Sequence, residues 1–223
     1  MEEGTKTMQK DHFSMSAEVQ KPGALFYLGW IILNAAAVIL GWYVAWALIS
    51  LVENVVGGTI VVGGQTRITE DVLFMYLLFP VVGLLSGTVQ YILLRRYLPR
   101  MAGWIPATFL GWLLPFAVGY LVTRLLVPGN STAWILLGLS VFGAAIALPQ
   151  WWMLRLRVKH AGWWVLYFAF GWGMVGFLNT FTSEPLPVIL GIAVFPAITT
   201  SIACWILLDR LPNQELSSRI PYR

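Results

Sequence analysis

The chain has 223 residues, of which 58% are hydrophobic and 11% are charged, and its formal net charge is +4. This composition excludes an ordinary soluble globular protein, in which about a quarter of the residues are charged, and it predicts a membrane protein. The single cysteine, Cys204, excludes an intrachain disulfide and a cysteine metal cluster.

The polar segment 1–22 comes first. It lacks the basic start, short apolar run and small-residue cleavage site of a signal peptide, so we expect a cytoplasmic tail. Long apolar gaps then separate the charged residues, beginning between Lys21 and Glu53. Each gap reaches the ~20 residues that a helix needs to cross ~30 Å of hydrocarbon. Six transmembrane spans are predicted, at 24–51, 72–97, 103–125, 132–156, 162–183 and 186–208.

The spans define an all-α, polytopic membrane domain over 23–210, followed by a short cytoplasmic tail at 211–223. The longest connection, 53–70, has a β-branched run between two Gly-Gly pairs. That pattern predicts a small hairpin or a packed loop on the outer surface. It is either a plain connection or a docking element for an outside partner.

The basic residues predict the orientation. If the amino terminus is cytoplasmic, Arg67 and Arg124 are the only two of the 14 Lys and Arg residues outside. The positive-inside rule therefore places both termini in the cytoplasm. The positive net charge then reflects topology and contact with anionic lipids, and nucleic-acid binding is not needed to explain it.

An internal repeat links the second and third spans to the fourth and fifth. Segment 81–112 aligns with 141–172 at a shift of 60 residues without a gap. A Gln, an Arg and two Trp in register are improbable by chance in apolar segments. The matched pairs are Val81/Val141, Gly83/Gly143, Gln90/Gln150, Leu94/Leu154, Arg95/Arg155, Trp104/Trp164, Gly111/Gly171 and Trp112/Trp172.

A weaker third copy joins the first and last spans. "YLGW" at 27–30 resembles "FLGW" at 109–112, which pairs Trp30 with Trp112 and Trp172. "CWILLDRLP" at 204–212 resembles "QYILLRRYLP", which puts Cys204 at the glutamine position. The chain is thus predicted to be three repeated helical hairpins with one common orientation.

Gln90 and Gln150 are the most informative polar residues. Each precedes an arginine by five residues, which places it about 7 Å inside the cytoplasmic boundary at ~1.5 Å per residue. An unpaired amide in lipid costs several kcal/mol, so both should face protein. Either they form buried hydrogen bonds that pair helices, or they line a ligand site together with Trp30, Trp112 and Trp172.

Small residues and the other tryptophans suggest packing and anchoring roles. Small residues four apart allow helix backbones to approach closely, and Trp at a membrane interface forms an aromatic belt. The predicted helix-packing positions are Gly83, Gly87, Gly111, Gly143, Ala147 and Gly171. The predicted cytoplasmic belt is Trp104, Trp151, Trp152, Trp163 and Trp164.

Two surface sites are expected at the ends of the spans. Arg124 ends a span on the outer side, where Asn179 and Glu184 lie at a comparable depth, so these three form a candidate outer pocket. On the cytoplasmic side, contact with anionic lipid is expected from Arg95, Arg96, Arg100, Arg155, Arg157 and Lys159.

The sequence predicts no catalytic residues and no enzyme activity. His12 and His160 fall outside the spans, so no haem or metal site is predicted within the bilayer. No span has an acidic residue in its interior, which excludes two-aspartate proteolysis and removes the usual proton carriers. Bound lipid or a hydrophobic pigment stays open as a ligand.

Two functions fit these features. The first is a non-catalytic membrane scaffold or accessory subunit, with membrane lipids and other integral membrane subunits as its partners. The alternative is a small-molecule binding or transport protein that uses the repeated Gln and Trp residues. The Gln-aromatic-x-x-Leu-Arg pattern with a downstream Gly-Trp resembles small multi-pass bacterial proteins, which implies a bacterial cytoplasmic membrane and no particular activity.

Overall fold

A computed structural model describes residues 21–98, 101–125, 132–182 and 184–209, with the backbone alone for 75, 116–125 and 132. Each of the six predicted apolar segments is helical. The elements are α1 Ala24–Val56, β1 Thr59–Val62, β2 Gln65–Ile68, α2 Thr69–Leu73, a π-helical turn Phe74–Leu78, α3 Phe79–Leu94, α4 Trp104–Leu125, α5 Thr132–Leu154, α6 Gly162–Asn179 and α7 Pro185–Asp209.

Four helical segments in the described part of the chain are long and apolar enough to cross a membrane. They are Ala24–Val56, Thr69–Leu94, Ala133–Leu154 and Pro185–Asp209. The second combines α2, the π-helical turn and α3 into one rod. The π-helical turn ends two residues before Pro80, whose missing N–H interrupts the regular helical hydrogen bonding.

The long helices form a closed ring. Each of α1, α3, α4, α5, α6 and α7 packs against the next, and α7 packs against α1. Neighbours run antiparallel, as two contacts between α3 and α4 illustrate: Gln90 meets Trp104 and Gly83 meets Trp112. Within the described residues, these six helices alternate in direction, so that Asp209 lies at the same end of the ring as Lys21.

The two ends of the ring carry opposite charge. Lys21 pairs with Asp209 across 3.3 Å, which brings the first and last described residues together. We call this the basic end, because Arg95, Arg96, Arg155, Arg157 and Lys159 lie in its turns. The opposite, acidic end has Glu53, Arg67, Glu70, Asp71 and Glu184.

The predicted outer connection forms a β-hairpin at the acidic end. β1 pairs antiparallel with β2, with Thr59 opposite Ile68. Gly63 and Gly64 have φ of 58° and 78°, so the two-residue turn has the left-handed conformation that matches strand twist. Thr69 closes the base by donating its hydroxyl to the Gly57 carbonyl at 2.7 Å.

Candidate functional site: a buried amide and indole network

Two glutamine–tryptophan bonds repeat at a spacing of 14 residues. Trp104 Nε1 donates to Gln90 Oε1 at 3.0 Å, and Trp164 Nε1 donates to Gln150 Oε1 at 2.8 Å. Each bond joins a helix to the antiparallel helix that follows it. All four side chains are buried, and Gln150, Trp104 and Trp164 are at most 1% exposed. The glutamines therefore point into the bundle and have protein partners.

The amide donors join these pairs together. Gln150 Nε2 donates to Gln90 Oε1 at 3.1 Å and to Thr108 Oγ1 at 2.8 Å. Gln90 Nε2 donates to Asn34 Oδ1 at 2.9 Å, and Asn34 Nδ2 donates to the Trp30 carbonyl at 2.8 Å. One chain of hydrogen bonds thus runs from α5 through α3 to α1.

Thr200 connects α7 to α1 in the same layer. Trp30 Nε1 donates to Thr200 Oγ1 at 3.1 Å, and the hydroxyl donates to the Pro196 carbonyl at 2.6 Å. Thr200 Oγ1 thus accepts the indole N–H of Trp30, just as the glutamine Oε1 atoms accept those of Trp104 and Trp164. The prediction that Cys204 occupies the glutamine position is wrong, because Cys204 lies one turn nearer the basic end, where it lines a small void with Leu94 and Leu154.

The tryptophan rings stack in two layers. Trp164 makes edge contacts with Trp30 and Trp104, at centroid distances of 5.9 and 5.7 Å. Trp112 and Trp172 pair separately at 5.8 Å. The predicted grouping of Trp30 with Trp112 and Trp172 is therefore wrong in register, since Trp30 lies in the layer of Trp104 and Trp164.

The predicted cytoplasmic belt is split between core and surface. Trp104 and Trp164 are core residues, because the glutamines give their N–H groups buried partners. Trp152 and Trp163 are 56% and 41% exposed, as an interfacial residue should be. The Arg155 guanidinium lies 3.2 Å from the Trp152 ring centroid.

The small residues lie where helices touch. A Cβ on Gly83 or Gly143 would meet Trp112 or Trp172, and one on Gly87 would meet Thr108. Gly111 lies against the Ile146 carbonyl of α5, and Gly171 lies against Pro196 and Thr199 of α7. Ala147 is fully buried.

A small cavity adjoins the network on the side of the acidic end. Its volume is about 20 Å³. It is lined by Gln90, Trp112 and Trp172, which the sequence predicts as site residues, and by Asn34, Ser86 and Thr200, which it does not. A cavity of this size accommodates about one water molecule. This volume is far below the several hundred Å³ that is typical of a small-molecule site.

The two predicted surface sites are described only in part. Arg95, Arg96, Arg155 and Lys159 are exposed at the basic end, while Arg157 donates to the Met153 carbonyl at 2.7 Å. Arg100 lies outside the described residues. Asn179 and Glu184 are exposed at the acidic end, and the Arg124 side chain lies outside the description.

Sequence reasoning missed Asn34, Thr108 and Thr200 as members of the network. Asn34 was detectable as the only amide in the first apolar gap. Thr108 and Thr200 had no comparable signal, since a threonine is common in a membrane helix and commonly bonds its own backbone.

Within the described residues, no cluster of three or more His, Cys, Asp or Glu side chains could hold a metal ion. No protein-family model, curated protein or solved structure matches this chain.

Proposed function

We propose that this protein is a non-catalytic scaffold or accessory subunit of a larger membrane complex. It would cross the membrane six times as three helical hairpins, with both termini in the cytoplasm, most simply in a bacterial cytoplasmic membrane. Its partners would be membrane lipids and other integral membrane subunits.

The observation that carries this proposal is that both buried glutamine side chains are hydrogen-bonded to other helices. Gln90 donates to Asn34 and accepts from Trp104 and Gln150, and Gln150 donates to Gln90 and Thr108 and accepts from Trp164. A binding site instead keeps a few polar groups directed at a cavity of several hundred Å³. The cavity of about 20 Å³ beside Gln90 argues for a helix-pairing role.

Charge supports the proposed orientation. The basic end would face the cytoplasm, where exposed Arg95, Arg96, Arg155 and Lys159 meet anionic headgroups together with Arg100 and Arg157. The acidic end and its β-hairpin would face outward. Trp152 beneath Arg155 fits the headgroup level, because an aromatic ring and a cation are both favoured there.

The test is purification of the tagged full-length protein in a mild detergent, followed by mass spectrometry of proteins, lipids and pigments. We expect other integral membrane proteins to copurify in defined ratios, and an unrelated six-span protein of the same host serves as the control. A protein that purifies alone, monodisperse and without a bound molecule contradicts the proposal.

A hydrophobic-ligand protein is the second candidate, and one observation favours it. A lateral groove of about 300 Å³ lies between α5 and α6, lined by Leu136, Ser140, Phe170, Gly173, Met174 and Phe177. This groove, unlike the glutamines, has the size and apolar lining of a small-molecule site. A stoichiometric lipid or pigment in the purified protein, lost on Gly173→Leu, would favour this candidate.

A further inference from the structure

Trp172 differs from the other tryptophans of the core. The ring is 4% exposed and packs against Trp112 and against Phe142, whose centroid is 4.7 Å away. Gly143 lies beside the ring, since a Cβ added there would come within 3 Å of Trp172 Cβ and Cδ1. In the described part of the chain, its Nε1 is the single buried side-chain nitrogen or oxygen that has no hydrogen-bond partner.

A buried N–H without an acceptor costs about 1–3 kcal/mol, so such a group in a well-packed core calls for a partner. The neighbouring layer shows the contrast, because Trp30, Trp104 and Trp164 all donate their indole N–H to side-chain oxygens. The cavity of about 20 Å³ is lined by Trp172 itself.

The cavity also offers two acceptors. Ser86 lines it and donates its own hydroxyl to the Val82 carbonyl, which leaves the Oγ lone pairs free to accept. Ile192 lines it too, four residues before Pro196. Because proline has no N–H, the Ile192 carbonyl lacks its usual helical donor.

From this geometry, we propose that the cavity is a binding site for one structural water molecule. The water accepts the Trp172 N–H and donates to Ser86 Oγ and to the Ile192 carbonyl. It links α6, α3 and α7, which extends the hydrogen-bonded layer of the glutamines by one turn toward the acidic end. Three bonds to polar groups are typical of a buried water.

The lining excludes other small occupants. A cation would face the positive edge of the Trp172 N–H, and the cavity has no ionisable side chain. A larger neutral ligand exceeds the volume. Water satisfies the donor and both acceptors at the same time.

Magnetic resonance of the full-length protein, labelled with ¹⁵N-tryptophan in detergent micelles, tests this proposal. The Trp172→Phe variant assigns the indole signal. We expect a cross-peak between the Trp172 indole proton and a long-lived water, and no such cross-peak for Trp30, which bonds Thr200. A Trp172 indole proton without a water cross-peak overturns the proposal.

Two hydroxyl deletions on α3 provide the matched comparison. Ser86→Ala should shift the Trp172 indole resonance and keep the water cross-peak, because Ile192 still holds the water. Thr88→Ala, which removes an exposed hydroxyl from the same helix, should leave the resonance unchanged. If Ser86→Ala leaves the Trp172 indole resonance unchanged, no water connects the two side chains, and the proposed site is overturned.

If Trp172→Phe does not fold, a crystal structure of the unmodified protein decides. An ordered oxygen within hydrogen-bonding distance of Trp172 Nε1 supports the site, and a cavity without such density overturns it.

Discussion

Gln150 is fully buried, and its side chain donates two hydrogen bonds and accepts one. Of its three partners, Gln90 Oε1 also accepts from Trp104, and Thr108 also donates to the Trp104 carbonyl. The Trp164 N–H has no second acceptor among the described residues and would be left as a buried donor without a bond. Gln90 has a different balance, because its Oε1 accepts from both Trp104 and Gln150. Loss of one donor therefore leaves Gln90 Oε1 with a second hydrogen bond but leaves Gln150 Oε1 with none from the described residues, although the two glutamines occupy equivalent positions in the sequence repeat.

This difference predicts unequal effects of two matched substitutions. Trp164→Phe removes the donor that the described residues offer to Gln150 Oε1 and should lower the free energy of unfolding by about 1–2 kcal/mol. Trp104→Phe leaves Gln90 Oε1 with the Gln150 donor and should cost about 0.6 kcal/mol. Unfolding of purified protein by increasing SDS in mixed micelles measures both.

Trp152→Phe is the control for this pair, because the Trp152 ring is exposed and should contribute no buried hydrogen bond. If Trp104→Phe lowers the free energy of unfolding by as much as Trp164→Phe or more, then Gln90 Oε1 does not accept from both Trp104 and Gln150.

At the residue scale, the sequence predicts the inward glutamines well, since a repeated amide in an apolar segment must find partners. Asn34 and Thr200 are harder to predict. Like the glutamines, they accept a buried N–H from a neighbouring helix, but they do so with different side chains. An alignment of the repeats compares residue types, whereas the hydrogen bond needs only an acceptor oxygen at the correct depth.

At the scale of helices, close approach depends on the absence of side-chain atoms. At Gly143, an added Cβ would lie 2.6 Å from Trp172 Cδ1 and 2.8 Å from the Phe168 carbonyl. Gly138, on the same helix, has no heavy atom within 4 Å of that position. Gly143→Ala and Gly138→Ala therefore add the same methyl group to the same helix, but only the methyl group at position 143 would meet a neighbouring helix.

Gly143→Ala should destabilise the protein by about 1–3 kcal/mol, because the α5–α6 contact must open or Trp172 must move. Gly138→Ala should be neutral or stabilising by up to about 1 kcal/mol, since alanine restricts the unfolded chain. Thermal unfolding followed by near-ultraviolet circular dichroism would report both. Equal effects of the two variants would contradict the packing described here.

The helix boundaries follow from the sequence to within a few residues, because charges mark the ends of the apolar segments. The register of α1 against the other helices does not. A short "Leu-Gly-Trp" match aligned Trp30 with the wrong tryptophan layer, whereas the register is set by contacts at Asn34 and Thr200 that leave no repeated sequence pattern.

At the scale of the whole molecule, the charge asymmetry leads to a labelling prediction. In a Cys204→Ala background, Val61→Cys on the β-hairpin should react with a membrane-impermeant maleimide in intact cells. Lys159→Cys, in the turn at the basic end, should react only after the membrane is permeabilised. The unmodified protein is the control, because Cys204 is buried and should stay unlabelled. Labelling of Lys159→Cys in intact cells would reverse the proposed orientation.

Gln90 and Gln150 connect α5 to α3 and α1, and the proposed function depends on this structural role. The most direct measurement is a double-mutant cycle with Gln90→Leu, Gln150→Leu and both together, which compares unfolding free energies and copurifying molecules. We expect each single variant to lose stability, the combined loss to differ from the sum by at least about 0.5 kcal/mol, and the copurifying subunits to persist in the variants that fold. Additive or negligible losses of stability, together with the disappearance of a bound small molecule, would contradict the account and make the glutamines a ligand site.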